Sequence, residues 1–324
     1  MCLCALCINP AASAEEYQLI LAHNRDEFWN RPATPATLNK DRKIICGTDQ
    51  TSGKQGGTWL GLNPNDGRLA MVLNYTRDPD DSGAPAQTSE PKGRGFLVHN
   101  FVSAQPNVPP EQYCSTIQRE MTVYSPFHLI CMSLEQTHAK PEDTATIKGQ
   151  QSDASANVTG EPSNCSASKT WNVYHLCSAD DLGPEQLKPG LYVFGNGRRQ
   201  YPWRKHQHFL SRFQQILVQH SSSRCESHLV ADIVGDLLRD TTKCWPDPEI
   251  VSMRPQAGAA RQQGLSAPFV SLPDIDYGTR THTVVLVKGN GQGVFLEWTL
   301  PLPYEKEIAD DLTKWTKQEF RFRI

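Results

Sequence analysis

The sequence predicts an α+β fold, and three observations carry that prediction. Short apolar runs bounded by Gly, Pro, Asn or Asp recur along the chain, turn signals join some of them into hairpins, and helical spacing is confined to a few stretches. Strands are expected at Cys2–Ile8, Tyr17–Ala22, Gly57–Leu62 and Arg68–Leu73. The run Asn63-Pro64-Asn65-Asp66-Gly67 has a Pro and an Asp-Gly step, so it should close a hairpin between the last two. A polar, Pro-rich loop over 77–92 leads to helical spacing at 95–104 and 110–121, and those helices should cover a sheet face.

Strands are expected again at 126–134 and 171–177. Between them, 135–170 is Ser, Thr, Ala, Gln and Gly with Ile147 and Val158 as its only large apolar residues, so it is expected to be a disordered insertion in a single domain spanning 1–324. From Trp203 to His220, Phe209, Leu210, Phe213, Ile216 and Leu217 fall at three- and four-residue spacing, which makes one buried helical stripe. Asp232–Leu238 reads as a further helix. The Pro- and Gly-rich stretch 244–276 reads as a long loop. Residues 281–288 and 294–299 form a hairpin across Gly289-Asn290-Gly291, and 318–323 closes as a short alternating strand.

Composition bounds the function. The net charge is -3 and no Lys/Arg-rich stretch exists, which argues against nucleic acid as the main partner. No apolar stretch approaches the ~18 residues of a membrane span, and MCLCALCI lacks the basic start of a signal peptide, so it reads as the first strand. Ten cysteines in 324 residues are too sparse for a disulfide scaffold; free thiols in a reducing, cytoplasmic compartment are expected. Cys2, Cys4 and Cys7 form C-x-C-x2-C, but strand alternation sends Cys2 and Cys4 to one face and Cys7 to the other, so no metal is expected there.

Two features point to chemistry. Cys2 directly follows the initiator methionine, so removal of Met1 would leave a thiol and an α-amine on one residue. The amine titrates near 7.7–8.0 and the thiol near 8.5, so the one can take the other's proton at neutral pH. The strand at 17–22 then runs into His23, Asn24, Arg25, Asp26 and Glu27. Such groups at the end of an apolar run either exit to solvent or serve a site. Trp29 and Trp59 stand beside these motifs as core residues or ligand-contacting aromatics.

Taken together, Met1-Cys2, LILAHNRDEFWNR (19–31), GKQGGTWLG (53–61), LNY (73–75), GRG (93–95), Gly195-Asn196, PWRK (202–205) and YGTRTHTVVLV (277–287) resemble the NRDE family, which includes Transport and Golgi organisation protein 2. The resemblance covers most of the chain. It implies a four-layer αββα sandwich of the N-terminal-nucleophile hydrolase type, with two mostly antiparallel sheets and helices outside. It further implies that Cys2 would attack an amide or thioester carbonyl, with Arg25 and Asp26 flanking it, Asn74 and Asn196 forming an oxyanion hole, and Arg280 supporting the thiolate. Asp26 and Glu27 compete for the acid role, since the Asn24-Arg25-Asp26-Glu27 order departs from the related hydrolases.

Asn24, Glu27 and Trp59 are expected to contact ligand. Arg204 and Lys205 open a helix at its positive end, a conflict that a bound anion such as an acyl-coenzyme A phosphate would resolve. No cofactor is required. The resemblance implies Golgi organisation and secretion, or handling of haem or acyl-coenzyme A lipids, in a cytoplasmic protein with Golgi or mitochondrial association. The same pocket then either catalyses or binds without turnover.

Overall fold

A computed structural model describes residues 2–39, 43–76, 92–104, 107–137, 168–180, 182–221 and 225–324. Its strands in chain order are β1 (Leu3–Ile8), β2 (Tyr17–Phe28), β3 (Ala33–Asn39), β4 (Ile44–Asp49), β5 (Leu60–Asn63), β6 (Arg68–Asn74) and β7 (Phe127–Thr137). They continue with β8 (Ser168–Cys177), β9 (Glu185–Gln186), β10 (Gly190–Phe194), β11 (Ser271–Leu272), β12 (Tyr277–Lys288), β13 (Gln292–Thr299) and β14 (Thr316–Arg323). The first sheet runs β10-β1-β2-β12-β13-β14, with β11 paired to β12; the second runs β3-β4-β5-β6-β7-β8-β9. All of these strand pairs are antiparallel.

The period-2 alternation of each strand sorts its side chains between two cores. Cys4, Leu6, Leu19, Leu21, Val285 and Phe295 of the first sheet meet Leu62, Met71, Leu73, Ile130 and Val173 of the second. Leu3, Ala5, Ile20, Ala22, Val284 and Leu286 point the other way, against α3 (Arg204–Gln219) and α4 (Glu226–Asp232). On the far side of the second sheet, Ala70, Val72, Leu129 and Cys131 pack on α1 (Gly95–Ser103) and α2 (Pro110–Glu120). The result is an α+β sandwich, sheet on sheet with helices on both outer faces. The helical stripe on α3 is seated as its spacing predicts. Phe209, Phe213 and Ile216 are fully buried, each contributing about 1.5–3 kcal/mol.

Several expectations need correction. β2 does not stop at Ala22 but continues to Phe28, because Asn24, Arg25 and Asp26 find partners and stay paired to β12. β3 and β4 were not expected; the Thr-, Pro- and Asn-rich β3 is an exposed edge strand that alternation alone does not reveal. The loop expected over 244–276 contains α5 (Pro248–Met253) and α6 (Gly258–Leu265). Asp247 caps α5 by accepting from the Glu249 and Ile250 amides, with Pro248 in the first turn, so residues taken as breakers are start signals. The expected 232–238 helix begins earlier, at Glu226, and its Ile233–Leu238 turns are π-helical. The rims of the expected insertion, 135–137 and 168–170, are strand; residues 138–167 lie outside the described residues.

Candidate active site

Leu3 lies opposite Asn24 in the β1–β2 register, so Cys2 arrives beside Arg25 and Asp26 at the end of the first sheet. Its Sγ lies 3.9 Å from the Asp26 carbonyl oxygen, within reach of a weak thiol donor. Cys2, Arg25, Asp26, Glu27, Trp59 and Asn74 line one cavity of about 120 Å³. Segments 70 residues apart therefore converge where two sheets end.

Electrostatics there are compensated. The Arg25 guanidinium lies 4.1 Å from the Trp59 ring centroid and 3.7 Å from Glu27 Oε2. Glu27 also accepts from Arg31 at 3.1 Å, and Arg31 reaches Asp49 at 2.6 Å. Asp26 Oδ1 accepts from the Thr279 hydroxyl at 2.7 Å, and the same hydroxyl accepts from the Val270 amide at 2.9 Å. Of the two competing acids, Glu27 is committed to arginines, whereas Asp26 adjoins the sulfur. Burial pushes the Cys2 thiol pKa up, as does the Asp26 carboxylate, while the contact with the Asp26 backbone and the Arg25 charge pull it down. Cys4, on the same face two residues on, is raised by burial alone.

The opposite wall is built by glycines. A Cβ on Gly95 would lie 2.7 Å from the Thr58 nitrogen and 2.9 Å from Gly57 Cα, so the two Gly motifs touch backbone to backbone. Thr58 donates its amide to the Gly95 carbonyl at 3.1 Å across that contact. Lys54, Lys92 and Arg94 stand in the same wall. Arg94 donates to the Pro126 carbonyl at 2.8 Å.

Five expected site residues are not on the cavity lining. Asn24 braces β2 to the helical layer: its amide donates to the Leu238 and Pro268 carbonyls at 2.7 and 3.1 Å, and its oxygen accepts from His282 at 2.6 Å. Asn196 donates to the Asn74 carbonyl, standing behind the cavity-lining residue. Arg280 is the extra residue of a β-bulge, between Thr279 opposite Asp26 and Thr281 opposite Arg25. From there it donates to the Phe28 and Arg31 carbonyls at 3.2 and 2.5 Å. Arg204 is exposed and Lys205 fully buried. The anion that their helix start demanded is Asp247, whose Oδ2 accepts the Arg204 amide at 2.6 Å.

With this geometry in view, comparison with known proteins is decisive on kinship. The family described as Transport and Golgi organisation 2 matches residues 1–301. The chain belongs to the Transport and Golgi organisation 2 family. The Transport and Golgi organization protein 2 homolog of Homo sapiens is 30% identical over 329 residues, covering 100% of this chain and 99% of the relative. The Bos taurus homolog is 28% identical over 326 residues with the same coverage. The Drosophila melanogaster protein is 28% identical over 305 residues, 93% of this chain and 92% of its own.

Within this Transport and Golgi organisation 2 family member, several polar residues escaped the sequence reading. Arg31 and Asp49 complete the charge network, yet Asp49 sits on an unpredicted strand. His128 and His175 lie between the sheets, His128 Nδ1 to His175 Nε2 at 3.0 Å, and His128 Nε2 to the Gly197 carbonyl at 3.0 Å. A carbonyl only accepts, so His128 carries its proton on Nε2, and its Nδ1 accepts a hydrogen bond from the His175 Nε2–H. The pair thereby ties the second sheet to the 195–197 loop. Gly195 and Gly197 are needed there, since a Cβ at either would meet the His206 or Trp203 ring within 2.0–2.5 Å. No His/Cys/Asp/Glu group able to hold a metal occurs among the described residues. No helix among them is long and apolar enough to cross a membrane.

Proposed function

We propose that this protein is a cysteine N-terminal-nucleophile enzyme of the hydrolase type, acting on an amide or thioester carbonyl after Met1 is removed. The observation that carries the reading is Cys2 on a cavity wall with Arg25, Asp26 and Asn74. The freed α-amine takes the thiol proton, the thiolate adds to the carbonyl, and collapse of the tetrahedral oxyanion expels the amine or thiol that receives the proton. Water, entering by the same route, then releases the acid and restores the thiol. Arg25 favours the thiolate; a donor at Asn74 aimed at the oxyanion would supply about 3–4 kcal/mol.

The cavity dimensions select the ligand class. About 120 Å³ is well below the roughly 300–1,000 Å³ of pockets that enclose a drug-sized ligand. It suits the carbonyl end of an acyl group, with the remainder outside beside Lys54, Lys92 and Arg94. Those cations favour an anionic carrier such as an acyl-coenzyme A. Haem fits poorly, because its bulk exceeds that of the cavity. The names of the relatives extend the proposal to transport and Golgi organisation.

Intact mass spectrometry after incubation with an acyl-coenzyme A tests the reading. The expected result is a chain lacking Met1 that carries the acyl mass on Cys2, with no adduct in Cys2→Ala. Retained Met1 defeats it. A ligand that raises the melting temperature without any adduct, with the shift lost in Arg25→Ala, favours the alternative of binding without turnover.

A further inference from the structure

A second cavity, of about 520 Å³, lies at the β8–β9 edge of the second sheet and shares no lining residue with the first. Its volume falls within the roughly 300–1,000 Å³ of sites that hold small ligands. His175 and Glu185 line it and are cross-strand partners there. His175 is 4% exposed, and its Nδ1 lies 3.8 Å from Glu185 Oε2, beyond a hydrogen bond. The other ring nitrogen is already committed: Nε2 donates to His128 Nδ1, because His128 gives its own N–H to the Gly197 carbonyl. A neutral imidazole has one N–H, so Nδ1 of His175 presents a lone pair. Burial, reinforced by the Arg199 charge, holds the ring below its ordinary pKa and hence unprotonated at neutral pH. A lone pair and a carboxylate therefore face each other with no proton between them.

The charge of the lining agrees. Asp180 and Glu185 set two carboxylates against one guanidinium, Arg199, which is already paired with Glu185 and lies 5.4 Å from the Phe194 ring centroid. Leu182 and Pro184 give the wall an apolar side. No His/Cys/Asp/Glu group among the described residues could hold a metal ion, so the cation that suits this wall carries N–H donors aimed at separate acceptors. One ammonium nitrogen about 2.8 Å from each of two atoms spans a gap of 3.8 Å. The geometry points to a ligand site for a small primary amine, its ammonium donating to His175 Nδ1 and the Glu185 carboxylate and its alkyl chain lying on Leu182 and Pro184. The site uses none of the atoms of the Cys2 reading and stands whether or not that reading holds.

Saturation-transfer NMR on the full chain tests this with n-butylamine, which is charged at pH ~7.5 as a lysine is. Binding is expected with a Kd of about 1 mM or tighter. Glu185→Gln should weaken it about tenfold or more through loss of the charged acceptor, and His175→Phe should do likewise. Arg199→Ala frees Glu185 and should leave binding as tight or tighter, whereas an anion site would lose it. Tetramethylammonium has no N–H and should not compete. No saturation transfer up to about 20 mM amine overturns the inference, and so does a Kd in Glu185→Gln within twofold of the parent. Butyrate binding that is lost in Arg199→Ala overturns it in favour of an anion. Failure of the amine together with a His175 ring that titrates at the ordinary histidine value overturns it in favour of a bridging proton. Should His175→Phe not fold, Glu185→Gln decides alone.

Discussion

Around the cavity, Arg25, Glu27, Arg31 and Asp49 form a chain of ion pairs, each cation facing an acid within 4 Å. Between the sheets, His128 and His175 bond to each other, with Glu185 3.8 Å from His175 Nδ1, and burial holds both pKa values below the ordinary histidine range. One cluster spends polar groups in pairs that line a cavity beside a thiol; the other joins two rings and a backbone carbonyl. The difference separates a place where charge is available for chemistry from one where hydrogen bonds fix geometry.

The contrast breaks most severely at Glu27. Glu27→Ala leaves Arg25 and Arg31 without their shared acid, an expected loss of about 3 kcal/mol in urea denaturation. His128→Ala comes next. It strands the Gly197 carbonyl and His175 and opens a void between the sheets, an expected loss of about 2 kcal/mol with Arg25 pairing intact.

Acid titration sharpens the comparison without mutation. His23 and His206 are buried and pushed down to about 3, so between that value and the unfolded ~6.5 the unfolded chain binds more protons. Stability should therefore fall as pH drops through that window. Glu297 runs the opposite way. It is buried, accepts from the Ala36 amide at 2.6 Å, and burial raises its pKa to about 7. The folded chain holds this proton longer than the unfolded one, so its contribution fades as pH rises from about 4.5 to 7. Glu297→Gln should flatten that limb in denaturation at pH 5 and pH 8. The smallest effect is expected at Asp247→Ala, about 1 kcal/mol from a lost helix cap, with the cavity unchanged.

What the sequence disclosed followed the kind of physics involved. Alternation and helical spacing are local, so β1, β6, β7, α1, α2 and α3 were legible, as was the split of Cys2 and Cys4 from Cys7 between two faces. The convergence of Cys2, Arg25, Asp26, Asn74 and Trp59 was legible only through resemblance to a family, because nothing within twenty residues of Asn74 reports that β1 ends beside it. That Asn24, Asn196 and Arg280 lie off the cavity lining was hidden for the same reason: an amide or guanidinium type does not say whether its donors meet a ligand or a carbonyl. The burial of Lys205 was hidden in a different way. A basic helix start normally snorkels to solvent, and only tertiary packing shows one cation outside and the next sealed beneath Trp203.

The bulge at Arg280 has one more consequence. Because it slips a single residue into β12, the strand is in one phase from Tyr277 to Thr279 and in the other from Thr281 onward. Pulling Arg280 into a regular ladder would set it opposite Asp26 and turn the whole 277–279 end to the other face, carrying the Thr279 hydroxyl away from that carboxylate. A more regular strand would thus be a worse one: the irregularity lets the same twelve residues furnish a hydrocarbon core at one end and a carboxylate clamp at the other.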